Sequence, residues 1–123
     1  MTIRLLLADD HELFRLGFRV LLAEYDDLEI VAESKSGEQA FQAVATCNPD
    51  LVVLDVRMVA GDGLNCLGRL KLEYPELPVL MVSTYDNPTY VARAVALGAS
   101  GYMLKESSGE ELVEAIRTVA AGE

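Results

Sequence analysis

Asp9 and Asp10 stand side by side near the start of the chain, Asp55 follows in its middle, and Ser83, Thr84 and Lys105 come later. Three carboxylates, two hydroxyls and an ammonium are the parts of phosphoryl transfer if one fold gathers them. Carboxylates held close together cannot all ionise unless their pKa values separate or positive charge sits among them. A hard divalent cation with oxygen ligands, Mg2+ above all, resolves that conflict. A carboxylate left facing solvent beside the cation is then a candidate nucleophile. Asp55 would attack, the cation and Lys105 would neutralise the transferring oxygens, and the Ser83 hydroxyl would hydrogen-bond one of them. Each residue taken singly has an ordinary alternative. An Asp at a strand end caps the next helix, a lysine there is solvated, and a serine satisfies a local backbone group.

Whether these residues meet depends on the elements that carry them. Short runs rich in Val, Ile and Leu, at 3–8, 28–33, 51–56, 79–83 and 101–104, alternate with amphipathic stretches of 3.6-residue period. The runs lack strict polar alternation, as strands buried on both faces do. Phe14, Phe18, Leu21 and Leu22 mark a first helix, and Leu112, Ala115, Ile116, Val119 and Ala120 a last one. Ser36 with Gln39 opens a second helix that Asn48-Pro49 stops. A third, around Leu64, Leu67 and Leu70, follows a flexible Gly61-Asp62-Gly63. A fourth opens at Asn87-Pro88 and stops at Gly98, and Ser107 or Ser108 caps the fifth. Five strands and five helices in alternation predict an α/β fold, a doubly wound (βα)5 parallel sheet with helices on both faces. Ligands in such folds bind beyond the strand C-termini. Those ends carry residues 8–12, 55–63, 83–88 and 104–108, where the candidate residues lie.

The chain of 123 residues, 51% hydrophobic and 24% charged, is sized for one domain, 1–123, with its own core. Twenty Asp and Glu against ten Lys and Arg leave a formal charge of −10, a surface that repels phosphate backbones and anionic membranes. Direct DNA binding is therefore not expected. No apolar run approaches membrane-spanning length and no cleavable leader follows Met1, so a cytoplasmic location is expected. Cys47 and Cys66 lack metal or redox spacing and are expected as free thiols. Met58, Met81 and Met103 lie in or beside strands and read as core filling. His11, the lone histidine, invites phosphohistidine chemistry or metal ligation, but beside two acids in a first helical turn it is expected to be an exposed residue.

The segments Leu-Ala-Asp-Asp-His (7–11), Asp-Val-Arg-Met (55–58), Val-Leu-Met-Val-Ser (79–83) and Gly-Ala-Ser-Gly-Tyr-Met-Leu-Lys (98–105) carry a specific family pattern. From Ile3 to about Gly122 the chain resembles the receiver domain of bacterial two-component response regulators. The Asp-Asp-His opening and the ending Ala-Ile-Arg-Thr-Val-Ala-Ala-Gly-Glu (115–123) look most like the NarL/FixJ (LuxR) type. Its members usually continue through a linker into a helix-turn-helix DNA-binding domain. The last residues read as such a linker's start, which favours a fragment over a stand-alone receiver, with DNA reached only through an output domain outside these residues.

The resemblance implies a flavodoxin-like strand order, 2-1-3-4-5. It implies that Asp55 accepts phosphoryl from a sensor histidine kinase and that Asp9, Asp10, Asp55 and the Arg57 backbone carbonyl hold Mg2+. Lys105 would pair with the phosphoryl group. Ser83 and Tyr102 match a switch pair that alters the surface of the fourth helix, fifth strand and fifth helix, with phosphorylation-linked homodimerisation. Without the family match, Tyr102 is a partly buried strand aromatic. Arg57 and Thr84 flank the path of water to the phosphoryl group and are expected to tune its lifetime. Two departures stand out: Val59 replaces a frequent proline, and Glu106 follows Lys105 where the family often has a proline and a cis bond. A trans bond is expected there. Two other readings compete: a phosphorylation-independent interaction module, and an aspartate-nucleophile phosphatase. The phosphatase pattern places a second acid where this chain has Arg57.

Overall fold

The computed structural model describes residues 2–58, 61–84 and 87–122, so Val59 and its missing proline lie outside the described residues. Five parallel strands form one sheet: β1 (Ile3–Ala8), β2 (Leu28–Ser34), β3 (Leu51–Asp55), β4 (Val79–Ser83) and β5 (Gly101–Leu104), in the order β2-β1-β3-β4-β5. Five helices connect and follow them: α1 (Glu12–Leu22), α2 (Gly37–Cys47), α3 (Gly63–Glu73), α4 (Pro88–Ala96) and α5 (Gly109–Ala120). The expected strand order and doubly wound class are what the structure has.

Alternate residues of the strands feed two separate cores. Leu5, Leu7, Leu51, Val53, Leu80 and Val82 pack with Phe18 and Leu22 of α1 and with Leu112, Val113 and Ile116 of α5. Leu6, Ala8, Val52, Leu54 and Met81 face the other way, onto Ala40, Val44, Leu67, Leu70 and Ala94 of α2, α3 and α4. The division follows from handedness. The chain steps outward from β1 to β2, then reverses past β1 to β3 and continues, so right-handed crossovers put α1 on one face and α2 to α4 on the other. The reversal opens a crevice above the C-terminal ends of β1 and β3.

The ends of the helices follow the sequence signals closely. Ser36 Oγ accepts from the Gln39 amide at 3.1 Å, and Asn48 closes α2 in the left-handed region at φ 49° just before Pro49. Asn87 caps α4 with Pro88 at its first position, and Gly98 follows it at φ 99°. Of the two candidate caps of α5, Ser108 serves, in a reciprocal capping box with Glu111. Both cysteines are free thiols, and no cis peptide occurs among the described residues, so the bond before Glu106 is trans as expected. Met58 and Met81 are buried, and Met103 is partly buried against the α1/α5 core.

Four details correct the sequence reading. β2 runs one residue further than expected, to Ser34, and β3 stops at Asp55 rather than Val56. Beyond it, Arg57–Met58 pairs antiparallel with Gly61–Asp62, a ribbon too short to leave a periodic signal. Gly63 is no flexible lead-in. A Cβ there would fall on the Asp55 carbonyl oxygen, so this position is a close approach of two backbones. Among the described residues no helix is long and apolar enough to cross a membrane.

Candidate functional site

Strand register brings the site together. Ala8 pairs with Leu54, so Asp9 and Asp55, each the next residue of its strand, emerge at one level. Ser83 ends β4 opposite Leu104, and the Lys105 amide donates to the Ser83 carbonyl at 2.8 Å, which hands the next side chain of β5 to the same edge. Lys105 Nζ then lies 2.7 Å from Asp9 Oδ2 and 3.3 Å from Asp55 Oδ2. The lysine is not the solvated surface residue of the ordinary alternative, since its side chain is only 9% exposed. Its ammonium also sits 4.7 Å above the Phe14 ring centroid, a cation–π contact that fixes it from below.

Asp9 is fully buried and Asp55 nearly so. Burial, and then the neighbouring Asp9 charge, push the Asp55 carboxyl up to about 6, although Lys105 and the Arg57 amide pull it down. That amide donates to Asp55 Oδ1 at 3.3 Å. The carboxylate thus sits in surroundings that favour a partner more positive than one lysine supplies.

His11 is the surprise of the site. Its side chain is 65% exposed, as expected, yet its ring is aimed inward. His11 Nδ1 lies 3.1 Å from Asp9 Oδ1, 3.3 Å from Asp10 Oδ1 and 3.9 Å from Asp55 Oδ2, and its backbone amide donates to Asp9 Oδ1 at 2.8 Å. Asp9, Asp10, His11 and Asp55 each offer a ligand atom, and these atoms all lie within 4.8 Å of one another. Asp9 Oδ2 is shut off from solvent and accepts no hydrogen bond among the described residues, since the close Lys105 contact lacks hydrogen-bond alignment. The mostly oxygen donor set of Asp9, Asp10, His11 and Asp55 fits a hard divalent cation.

The other expected residues are spread around this centre. Ser83 is buried at the tip of β4, and Thr84 is exposed just beyond it. Arg57 Nη1 lies 3.4 Å from the Tyr90 hydroxyl of α4. Tyr102 of β5 pairs with Met81 of β4 and packs, half-buried, on the core beneath α2 to α4. Asp9, Asp10, His11, Asp55 and Lys105 therefore form the tight cluster, while Tyr102 stands apart on the strand below.

Sequence reasoning missed Arg15. Its guanidinium is buried, donates to the Asp9 carbonyl at 2.6 Å and pairs with Glu33 of β2 through Nε at 3.2 Å. The signal was there: Arg15 shares the buried face of α1 with Phe18 and Leu22, an odd place for a charge. Arg15→Ala is expected to cost about 2 kcal/mol in urea denaturation, because it strips the Asp9 carbonyl of a buried donor. Arg19, exposed and also paired with Glu33, should cost less than about 1 kcal/mol when cut to Ala. Equal losses from both would show that the Asp9 contact adds nothing.

With this geometry in place, comparison with known proteins is direct. Residues 5–117 match the response regulator receiver domain, and the chain belongs to that family, among members of the NarL/FixJ type. It is 38% identical over 120 residues to the transcriptional regulatory protein DegU of Brevibacillus brevis, covering 98% of this chain and 51% of that protein. It is 34% identical over its whole length to the response regulator VraR of Staphylococcus aureus, covering 59% of it. The chain thus spans a little over half the length of these curated relatives. Among solved structures, the signal receiver domain of NarL from Mycobacterium tuberculosis superposes with a TM-score of 0.94 at 32% identity, over 99% of this chain and 98% of that one.

Proposed function

We propose that this receiver is a phosphorylation switch in which Asp55 accepts a phosphoryl group from the phosphohistidine of a sensor histidine kinase. The observation that supports it is the meeting of Asp9, Asp55 and the Lys105 ammonium within 3.3 Å at the crevice above β1 and β3. An Asp55 oxygen attacks phosphorus, the P–N bond to the kinase histidine breaks, and that histidine keeps the electron pair and takes up a proton. Asp9, Asp10, Asp55 and the Arg57 carbonyl would hold Mg2+, which when bound supplies positive charge to the phosphoryl oxygens. Lys105 gives up part of its pairing with Asp55 and takes a phosphoryl oxygen instead. The Ser83 hydroxyl donates to another, and its shift is coupled to Tyr102, changing the surface of α4, β5 and α5.

The chain modifies itself in this way without turning over a small substrate, and Arg57, lacking a carboxyl, cannot serve as the second acid of a phosphatase. Transcriptional control would run through a DNA-binding output domain, with the phosphorylated receiver pairing with a second copy, in the cytoplasm. Intact mass after incubation with Mg2+ and acetyl phosphate tests this. One phosphoryl group should add to the chain, depend on Mg2+, and be absent from Asp55→Ala. Arg57→Ala should then change the decay of the adduct, since Arg57 and Thr84 border the approach of water. No adduct on the wild-type chain, or one that persists in Asp55→Ala, overturns the proposal.

A further inference from the structure

The histidine beside the carboxylates is unused by that chemistry. We infer that His11 is a ligand of the cation site, a nitrogen donor that biases it toward first-row transition cations over Mg2+. The inference rests on the proposed cation site and adds to it a donor of different character.

In an octahedron with metal–ligand bonds of about 2.1 Å, neighbouring ligand atoms are about 3.0 Å apart and opposite ones about 4.2 Å. His11 Nδ1 lies 3.1 and 3.3 Å from Asp9 Oδ1 and Asp10 Oδ1, close to the first spacing, and 3.9 Å from Asp55 Oδ2, between the two. His11 Nδ1 is within hydrogen-bonding distance of Asp9 Oδ1, and it joins ligand atoms of Asp9, Asp10 and Asp55 that all lie within 4.8 Å of one another. The backbone holds it there, because the His11 amide is tied to Asp9 Oδ1. Lys105 Nζ lies against Asp9 Oδ2 and also 3.2 Å from His11 Nδ1, so the ammonium stands beside the ring nitrogen and must give way for His11 to take a cation. His11 occupies the N-cap position of α1 yet makes no side-chain capping bond, so helix capping does not account for the ring's direction.

Chemistry sets the consequence. Mg2+ prefers oxygen and keeps its waters, whereas imidazole nitrogen suits cations later in the first row, with affinity rising from Mn2+ through Co2+ to Ni2+. With its proton on Nε2, His11 presents an Nδ1 lone pair to such an ion. The receiver would then take Co2+ or Ni2+ far more tightly than an all-oxygen site does.

His11 is the only histidine, so a single reporter decides the matter on the untagged chain. Co2+ and Mg2+ affinities are measured by calorimetry for wild type and His11→Ala, and proton NMR of the Co2+ form looks for a hyperfine-shifted, exchangeable imidazole N–H. The wild-type chain should bind Co2+ at least about 100-fold more tightly than Mg2+ and show that resonance. His11→Ala should lose it, with Co2+ affinity falling about 10-fold further than Mg2+ affinity. Co2+ binding without a shifted imidazole N–H, and with the same cation preference in both chains, would overturn the role of His11 while leaving the cation site standing. Binding of neither cation to the wild-type chain would remove the cation site and the inference together.

Discussion

Gly63→Ala is expected to lower stability by roughly 3 kcal/mol, at the upper end of the cost of overfilling a packed site, whereas Gly17→Ala should raise it by about 0.5 to 1 kcal/mol. The two substitutions add the same methyl group in opposite surroundings. At Gly63 a Cβ collides with the Asp55 carbonyl oxygen and crowds that of Val56. Those obstacles are backbone, and they are pinned: the Val56 amide donates to Val82 at 3.0 Å and the Gly63 amide to Val56 at 2.9 Å. No rotamer change relieves the clash, so the start of α3 or the end of β3 must move, and β3 carries Asp55. At Gly17, exposed in the middle of α1, nothing lies within 4 Å of an added Cβ, and alanine simply removes the conformational freedom glycine brings to the unfolded chain. Urea denaturation of the two variants beside wild type reads both signs. Phosphoryl acceptance should fall with Gly63→Ala and persist with Gly17→Ala. A Gly63→Ala chain as stable as wild type would mean that the β3–α3 junction has slack to shift.

How much of this was legible in the sequence depends on what each feature rests on. The strands announced themselves because Leu5, Leu7, Val52 and Val53 are buried whichever face they point to, which abolishes polar alternation. The helix ends at Ser36, Asn48 and Asn87 are local hydrogen-bond chemistry and are equally readable. Strand order is not local. Periodicity leaves open which strand lies beside β1, and the expectation of 2-1-3-4-5 came from the family pattern in residues 7–11, 55–58, 79–83 and 98–105. Once β1 and β3 are neighbours, the meeting of Asp9 and Asp55 follows from register alone.

What stayed hidden is what depends on approach in three dimensions. Gly63 reads as a turn residue until the Asp55 carbonyl is seen against it. Arg15 reads as one more cation on a helix until its guanidinium is found beneath Asp9. His11 was rightly expected to be exposed, and only the ring's direction makes it part of the site. All three act on the two buried carboxylates, whose positions are thus fixed by residues that carry no chemistry of their own in the phosphoryl step. A fold that spends a buried arginine and a backbone contact on holding Asp9 and Asp55 together is holding like charges in place, and the consequence is measurable.

In metal-free buffer above pH 7, Asp55→Asn is expected to be more stable than wild type by roughly 3 kcal/mol, the equivalent of a displacement from 3.8 to about 6. The direction follows from proton linkage. The unfolded carboxyl ionises near 3.8, whereas the folded chain keeps the proton until about 6 because burial and the Asp9 charge oppose ionisation. Between those values unfolding releases a proton, so rising pH favours the unfolded chain. The contribution of the protonated carboxyl is fully present below pH 3.8, is lost as pH rises through about 6, and then levels off. An amide cannot ionise and escapes this loss. Urea midpoints from pH 3.5 to 8 should therefore coincide at the acid end and separate upward, with the variant ahead. Superimposable profiles would mean that Lys105 already satisfies an ionised Asp55. If instead the gap opens as expected, Mg2+ added at pH 7.5 should narrow it by stabilising the wild-type chain, because a cation that needs Asp55 ionised competes for the same site with the proton.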